Sequence, residues 1–354
     1  MNQEEKLMTA LAQVIDPEIG KNIVELGMVR DLSLDKNGKV SFTLALTTSK
    51  CPLKNQLSSE ARKALLAVDG VKEVQITFGE LSEAEKRALF TKNKPQLPSL
   101  AQFNQIGRII AVMSGKGGVG KSTVSAMLAT ALQKQGQKVG ILDADLTGPS
   151  IPRLFGLPPG GLRGNDQGIL PSLTKTGIKV VSVNLLLQEE DVPVIWRGPV
   201  ISGTINQFWN QTIWGRLDTL IVDLPPGTSD AALTVLQSIP LSGVLMVTTP
   251  QQLVSMVVRK GVRMVQQLNI PIIGLVENMS YFQCPDDGRI FHIFGESHAE
   301  EIANLAGAPV FIRLPVNPQV SSLCDSGQVE EVDLPEMDKL VKMISQTVFT
   351  SSSN

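Results

Sequence analysis

Six short apolar runs, at 109–113, 139–142, 178–183, 219–222, 244–248 and 272–276, alternate with longer stretches of helical periodicity. Runs this short and this uniformly apolar belong to strands buried on both faces, and helices between them supply the crossovers that parallel strands require. The pattern predicts a doubly wound α/β domain with a mostly parallel sheet, whose ligands gather at the carboxyl ends of the strands. Upstream the pattern changes. A helical spacing of Leu7, Leu11 and Val14 precedes a break at Asp16-Pro17-Glu18, and segments 29–34 and 40–46 flank the turn signal Lys36-Asn37-Gly38. A helix over 54–68, ended by Gly70, and a strand over 71–78 complete a small α+β domain. Residues 80–105 turn charged and then proline-rich, as linkers do. The sequence therefore divides into a small α+β domain at 1–80, a linker at 81–106 and the α/β domain at 107–354.

Composition narrows the function classes. With 42% hydrophobic and 19% charged residues in 354, the chain has the mixture of a globular protein and the length for two cores. A net charge of −2 offers no basic excess to hold nucleic acid or an anionic membrane, so neither is expected as a partner. No apolar run approaches the roughly 18 residues of a membrane span, and the acidic start Met1-Asn2-Gln3-Glu4-Glu5 is unlike a signal peptide; a cytoplasmic protein is expected. The three cysteines, Cys51, Cys284 and Cys324, are odd in number and widely separated, which argues for reduced thiols.

Directly after the first strand of the α/β domain stands Gly115-Lys116-Gly117-Gly118-Val119-Gly120-Lys121-Ser122-Thr123, followed by a helix-compatible run at 124–135. Strand, glycine loop and helix in that order form a P-loop: backbone N–H groups close around phosphate oxygens and the helix N-terminus faces the same anion. Lys121 neutralises the β- and γ-phosphate oxygens, and Ser122 is the expected Mg²⁺ ligand. Two acidic segments follow other strands, Asp143-Ala144-Asp145-Leu146-Thr147-Gly148 and Asp223-Leu224-Pro225-Pro226-Gly227-Thr228. Carboxylates at those ends face the phosphate loop, so Asp145 is assigned to the attacking water, and Asp143 and Asp223 to the nucleotide-bound metal. Gly148 and Gly227 give the two loops freedom to respond to a γ-phosphate.

Lys116 stands just after the first glycine, where a simple P-loop needs no lysine; it marks the deviant Walker A loop of dimeric ATPases. By that resemblance Lys116 reaches the nucleotide of the partner subunit and implies a homodimer, with Lys116, Lys121 and Asp145 as the catalytic set. Together with Arg197-Gly198-Pro199 and Glu277-Asn278-Met279-Ser280-Tyr281, these motifs resemble the Mrp/ApbC-like iron–sulfur cluster carriers across nearly the whole α/β domain. The resemblance implies an ATP-hydrolysing carrier that transfers clusters to apo-proteins and works with cluster scaffold proteins. It places Asn278 at the adenine edge, with the Leu314-Pro315 turn, through Pro315, as a second wall. In the small domain, Asp16-Pro17-Glu18, Val24-Glu25-Leu26-Gly27 and Thr47-Thr48-Ser49-Lys50-Cys51-Pro52 resemble the iron–sulfur assembly domain, with Cys51 as its thiol.

One departure stands out. The carriers commonly hold a cluster between two subunits on a Cys-x-x-Cys pair after the Glu-Asn-Met segment, but this chain reads Cys284-Pro285-Asp286-Asp287. Two copies of Cys284 supply two thiolates where a cluster usually takes four. Asp287 and His298 are candidate substitute ligands, His298 also reading as a surface histidine near a helix start. Cys324 reads first as a packing residue. A second reading therefore stays open: a cluster-free dimeric nucleotide switch of the partitioning or positioning type.

Overall fold

The computed structural model describes residues 3–16, 21–46, 54–82, 100, 104–165, 168–186 and 198–350. The chain divides into two compact units, Met1–Pro95 and Gln96–Asn354.

The first unit runs α1 (Gln3–Leu11), β1 (Ile15–Asp16), β2 (Lys21–Asn22), β3 (Val29–Leu34), β4 (Lys39–Leu46), α2 (Lys54–Leu66) and β5 (Glu73–Glu80). Strand β4 is central, antiparallel to β3 and parallel to β5. Its alternate residues Val40, Phe42, Leu44 and Leu46 are buried, and onto them pack Leu7 and Leu11 of α1 and Leu57, Ala61 and Leu65 of α2, each set spaced four apart as one helix face requires. The turn read at Lys36-Asn37-Gly38 is built as that signal demands. Asp35 accepts hydrogen bonds from the backbone N–H groups of Asn37 (2.9 Å) and Lys39 (2.8 Å), and Gly38 takes φ 85°. The short β1–β2 pair was not anticipated. Pro17, Glu18 and the 47–52 segment with Cys51 lie outside the described residues, as does Arg197.

The second unit holds a sheet of nine strands among the described residues: β6 (Gln105–Ser114), β7 (Val139–Asp143), β10 (Ser172–Leu173), β11 (Lys179–Val181), β12 (Arg216–Asp223), β13 (Gly243–Thr248), β14 (Ile272–Gln283), β15 (Ile290–Phe291) and β16 (Val310–Pro315). A small antiparallel pair, β8 (Arg163–Asn165) and β9 (Gly168–Leu170), stands apart. Strand order is β10-β11-β7-β12-β6-β13-β14-β15, with β16 also on β14; only β10 and β15 run antiparallel to their neighbours. Helices α3 (Lys121–Lys134), α4 (Ile151–Leu154), α5 (Gly198–Gln211), α6 (Asp230–Ser238), α7 (Gln252–Gln267), α8 (Ala299–Ala306), α9 (Pro318–Asp325) and α10 (Pro335–Thr350) accompany the sheet. The mostly parallel α/β expectation is borne out. Every residue of β7 and β13 is buried, which is why these strands read as unbroken apolar runs.

Two local readings change. Segment 178–183 is a strand only at Lys179–Val181 and then tightens into a 3₁₀ turn at Val183–Leu185. Leu314-Pro315 is not a turn but the end of parallel strand β16, where Pro315 opposes Tyr281. Proline is tolerated there because it is the last residue of the strand and a register shift already interrupts the ladder before Tyr281.

Candidate functional site

Strand β6 ends at Ser114, and the chain turns through Gly115 to Gly120 before α3 begins at Lys121. Gly118 and Gly120 take φ 81° and 79°, conformations in which a side chain is strained. Gly115 is fixed for a different reason: a Cβ there would lie 2.5 Å from the backbone nitrogen of Val258 in α7. Lys116, Gly117 and Gly118 are exposed at the crest, whereas Val119 is buried.

Lys121 is buried, and its Nζ donates to Asp223 Oδ2 at 2.5 Å. Ser122 Oγ donates to the same oxygen at 2.6 Å, and Ser125 Oγ to Asp223 Oδ1 at 2.6 Å. A fully buried carboxylate persists only with such partners, so Asp223 organises the first turn of α3 from the end of β12. The adjoining loop is tied to the β6 end by Gly227 N–H donating to Ser114 O at 2.9 Å, with Gly227 at φ 79°.

Asp143 and Asp223 close neighbouring strands in direct register. Asp143 accepts from Ser182 Oγ at 3.0 Å and from the backbone N–H groups of Asp145 (3.2 Å) and Ile151 (3.4 Å). It thus ties down both ends of the loop that carries Asp145. Burial, and next the negative charge of Asp223, push its carboxyl up to about 8, against the opposing pull of Lys121 and Ser182. Asp145 Oδ1 accepts from Thr147 Oγ1 at 2.9 Å and from Gly148 N–H at 3.1 Å, which sets the loop as an Asx-type turn. Lys121, Ser122, Asp143, Asp145 and Asp223 are therefore gathered at the carboxyl edge of β6, β7 and β12.

Asn278, in β14, reaches the same loop: its Nδ2 donates to Val119 O at 3.0 Å. The next residue, Met279, holds φ 53°, and the β14–β16 register shifts between Glu277 and Tyr281. Five residues further on, Cys284 opens a tight hairpin into β15, with its N–H donating to Arg289 O and its carbonyl accepting from Gly288 N–H, both at 2.9 Å. Asp287, in that hairpin, accepts from Arg289 Nε at 2.5 Å and from Arg289 N–H at 3.0 Å. Those Arg289 bonds, with a lesser one from the Cys284 thiol, hold its carboxyl below the usual range. Among the described residues no group of three or more His, Cys, Asp or Glu side chains is placed to hold a metal ion. His298 is the N-cap residue of α8 and faces Glu301 at 3.5 Å. Cys324 is buried in α9 and packs in the main core, as read.

The model for the family described as NUBPL iron-transfer P-loop NTPase matches residues 105–349. The chain belongs to this family. A second model, described as iron-sulfur cluster assembly protein, matches residues 4–78. This NUBPL-family chain is 41% identical over 334 residues to the iron-sulfur cluster carrier protein of Synechocystis sp., covering 93% of this chain and 92% of that one. It is 38% identical over 330 residues to the iron-sulfur cluster carrier protein of Mycobacterium leprae, covering 90% and 85%. Among solved structures it is similar to the nucleotide-binding protein from Archaeoglobus fulgidus in complex with ADP, at 45% identity and a TM-score of 0.60 over 68% of this chain and 93% of that one. The resemblance read from the motifs is borne out.

The structure of this P-loop NTPase adds residues that sequence reading passed over. Ser125 shares Asp223 with Lys121 and Ser122; its spacing, four after Lys121 and three after Ser122, makes it a helix-surface neighbour of each and was the available signal. Ser182 holds Asp143 from the end of β11, a partner that no local pattern announces. Glu277 is fully buried and accepts from Ser280 Oγ (2.5 Å) and Ser297 Oγ (2.7 Å), with Arg313 Nε at 3.5 Å. An ionisable residue directly after the apolar run 272–276 was the clue.

Proposed function

We propose that this chain is a nucleotide-driven carrier of iron–sulfur clusters: it binds and hydrolyses ATP, takes up a cluster as cargo and passes it to apo-proteins. The observation that carries this reading is the continuity of β14, a single strand from Asn278 against the phosphate loop to the Cys284 hairpin. A nucleotide site and a thiol at the end of the same strand can act as one unit, and the names of relatives aligned over both units support cluster cargo.

In this reading the phosphates sit on the N–H groups of Gly117 to Thr123 and on the N-terminal turn of α3. Lys121 exchanges Asp223 for the β- and γ-phosphate oxygens, and Lys116 reaches into the site of a second copy, where it neutralises charge as an arginine finger does. Asp145 orients the attacking water, and Asp143 holds the loop that presents it. Asn278 meets the adenine edge: its amide has four hydrogen-bonding positions, and Val119 O takes one. Pro315, opposite Tyr281 on β16, flanks the base. The oxygens of Ser122 and Asp223, 2.6 Å apart, are a hard-donor pair suited to Mg²⁺, which when bound neutralises phosphate charge.

The cargo sits between two copies, with Cys284 from each supplying two of its four ligands and Cys51 of the small domain as the receiving or delivering thiol. Partners are a second copy, apo iron–sulfur proteins and scaffold proteins, in the cytoplasm, with no membrane or nucleic acid involved. Among the described residues no helix is long and apolar enough to cross a membrane.

The deciding experiment is anaerobic reconstitution with iron and sulfide of wild type, Cys284→Ala and Cys51→Ala. Iron and sulfide counts and visible absorption are read, then transfer to an apo-ferredoxin with and without Mg·ATP. A bound cluster lost in Cys284→Ala and a transfer rate that responds to ATP are expected. Wild type that binds no cluster overturns the carrier reading and leaves a nucleotide switch.

A further inference from the structure

Glu277 is a buried carboxylate in the strand that joins the nucleotide site to the cysteine hairpin. Its side chain gathers three separate pieces of chain. Ser280 Oγ, in the same strand, donates to Oε2 at 2.5 Å; Ser297 Oγ, between the hairpin and α8, donates to Oε1 at 2.7 Å; Arg313 of β16 approaches Oε2 at 3.5 Å. Ser297 also accepts from Ala299 N–H at 3.2 Å, so the carboxylate is linked to the start of α8. Between Glu277 and Ser280 the backbone passes through Met279 at φ 53°, a left-handed conformation that costs a non-glycine residue about 1–2 kcal/mol. Such a conformation persists only where surrounding contacts enforce it, and the Glu277–Ser280 bond spans it.

The placement on either side matters. The residue just after the clamp's carboxylate is Asn278, bonded to Val119 O of the phosphate loop at 3.0 Å. The residue just after the strand's end is Cys284. Resting on the carrier reading above, we infer that Glu277 is a positioning residue: through Ser280 and Ser297 it makes β14 a rigid link, so that nucleotide engaging Asn278, which is held to Val119 O, changes the exposure of Cys284. The nucleotide then regulates access to the cargo thiol through the strand, in addition to any closure between copies. A carboxylate with two hydroxyl donors and a guanidinium suits this role better than an apolar residue, because its bonds fix direction as well as distance.

The test is the alkylation rate of Cys284 by iodoacetamide on cluster-free full-length protein, read peptide by peptide by mass spectrometry so that Cys51 and Cys324 are resolved separately. Rates are taken without nucleotide and with saturating ATPγS, and nucleotide affinity is measured in parallel by mant-ATP fluorescence. Wild type is expected to slow by about fivefold or more on nucleotide binding, the low end of ordinary coupling between sites. In Glu277→Gln and Ser297→Ala the ratio falls toward one while mant-ATP affinity stays at the wild-type value. A merely structural role would raise Cys284 reactivity equally in both nucleotide states and leave the ratio intact, which overturns the inference. A wild-type ratio of one overturns it as well. If Glu277→Gln does not fold, Ser297→Ala, which changes a surface segment, decides alone. Because the protein carries no cluster, failed reconstitution leaves this result standing, and a cluster-binding protein with an unresponsive Cys284 keeps the carrier reading while removing the coupling.

Discussion

Three glycine-to-alanine substitutions in the phosphate loop separate backbone strain from phosphate access. At Gly120 a Cβ meets two obstacles: φ 79°, and Asn278 Nδ2 at 2.3 Å. The left-handed conformation costs about 1–2 kcal/mol, and expelling Asn278 from its bond to Val119 O costs about 1 kcal/mol more, so Gly120→Ala is destabilised by about 2–3 kcal/mol. Gly118, at φ 81° with nothing within 4 Å of the added atom, carries only the strain, about 1–2 kcal/mol. Gly117 has neither problem: its nearest neighbour is Pro226 Cγ at 3.9 Å, and stability should hold or rise by a few tenths of a kcal/mol, of order the unfolded-state entropy effect. Its methyl nonetheless stands on the exposed crest, where backbone N–H groups must close around phosphate. Urea unfolding followed by tryptophan fluorescence measures the series, since Trp196, Trp209 and Trp214 all belong to the nucleotide-binding unit. Mant-ADP titration measures binding. The expected pattern is a rising loss of stability from Gly117 to Gly118 to Gly120, with Gly117→Ala binding-deficient yet stable. Gly120→Ala as stable as Gly117→Ala would refute the Asn278–loop contact, and Gly117→Ala with full affinity would refute the phosphate cradle.

Asp223→Ala strands the buried Lys121 ammonium, so a loss of about 3–5 kcal/mol is expected in nucleotide-free urea unfolding. Saturating Mg·ADP should return less stability to this variant than to wild type. Asp145→Asn should lower the ATPase kcat by about 10²–10⁴ with mant-ATP affinity retained. Mixing it with Lys116→Ala should restore part of the activity, because a mixed dimer rebuilds one complete site; no recovery would place Lys116 in its own subunit's site. For Asp143, whose carboxyl is pushed up to about 8 from 3.8, the folded state holds a proton that the unfolded state releases between those values. Its stabilising effect is full below about pH 4 and is lost as pH rises through 8, so Asp143→Asn should gain on wild type in urea stability from pH 5 to pH 8.5. A constant difference would refute the burial-driven shift.

The α/β unit was legible because its strands are buried on both faces: β7 and β13 have no solvent face to interrupt an apolar run. The phosphate loop was legible because its glycines, lysine and hydroxyl are contiguous. Strand β16 was missed because its arginine and terminal proline, Arg313 and Pro315, break that same apolar pattern. Arg313 reaches out to Glu300 at 2.7 Å and inward to Glu277, a pairing that no single-strand periodicity contains. The partners of Asp143 and Glu277 were illegible for the same reason. Ser182 and Ser297 each act on a residue far away in sequence, and a serine in sequence carries no mark of what it will face.

The proposed function gives the two strand-end carboxylates different roles, Asp223 at the phosphate and metal and Asp143 at the Asp145 loop. Asp143 and Asp223 end adjacent strands in register and read alike, but their partners differ in kind. Asp223 accepts from an ammonium and two hydroxyls, donors that a nucleotide phosphate or a hard cation can replace without exposing backbone. Asp143 accepts from two backbone N–H groups and Ser182, and giving these up would leave buried amides unpaired at a cost of about 1–3 kcal/mol each. Exchange of partners during a nucleotide cycle is therefore cheap at Asp223 and expensive at Asp143. The first is suited to meet the metal and the phosphate, and the second to hold the Asp145 loop still while it does so.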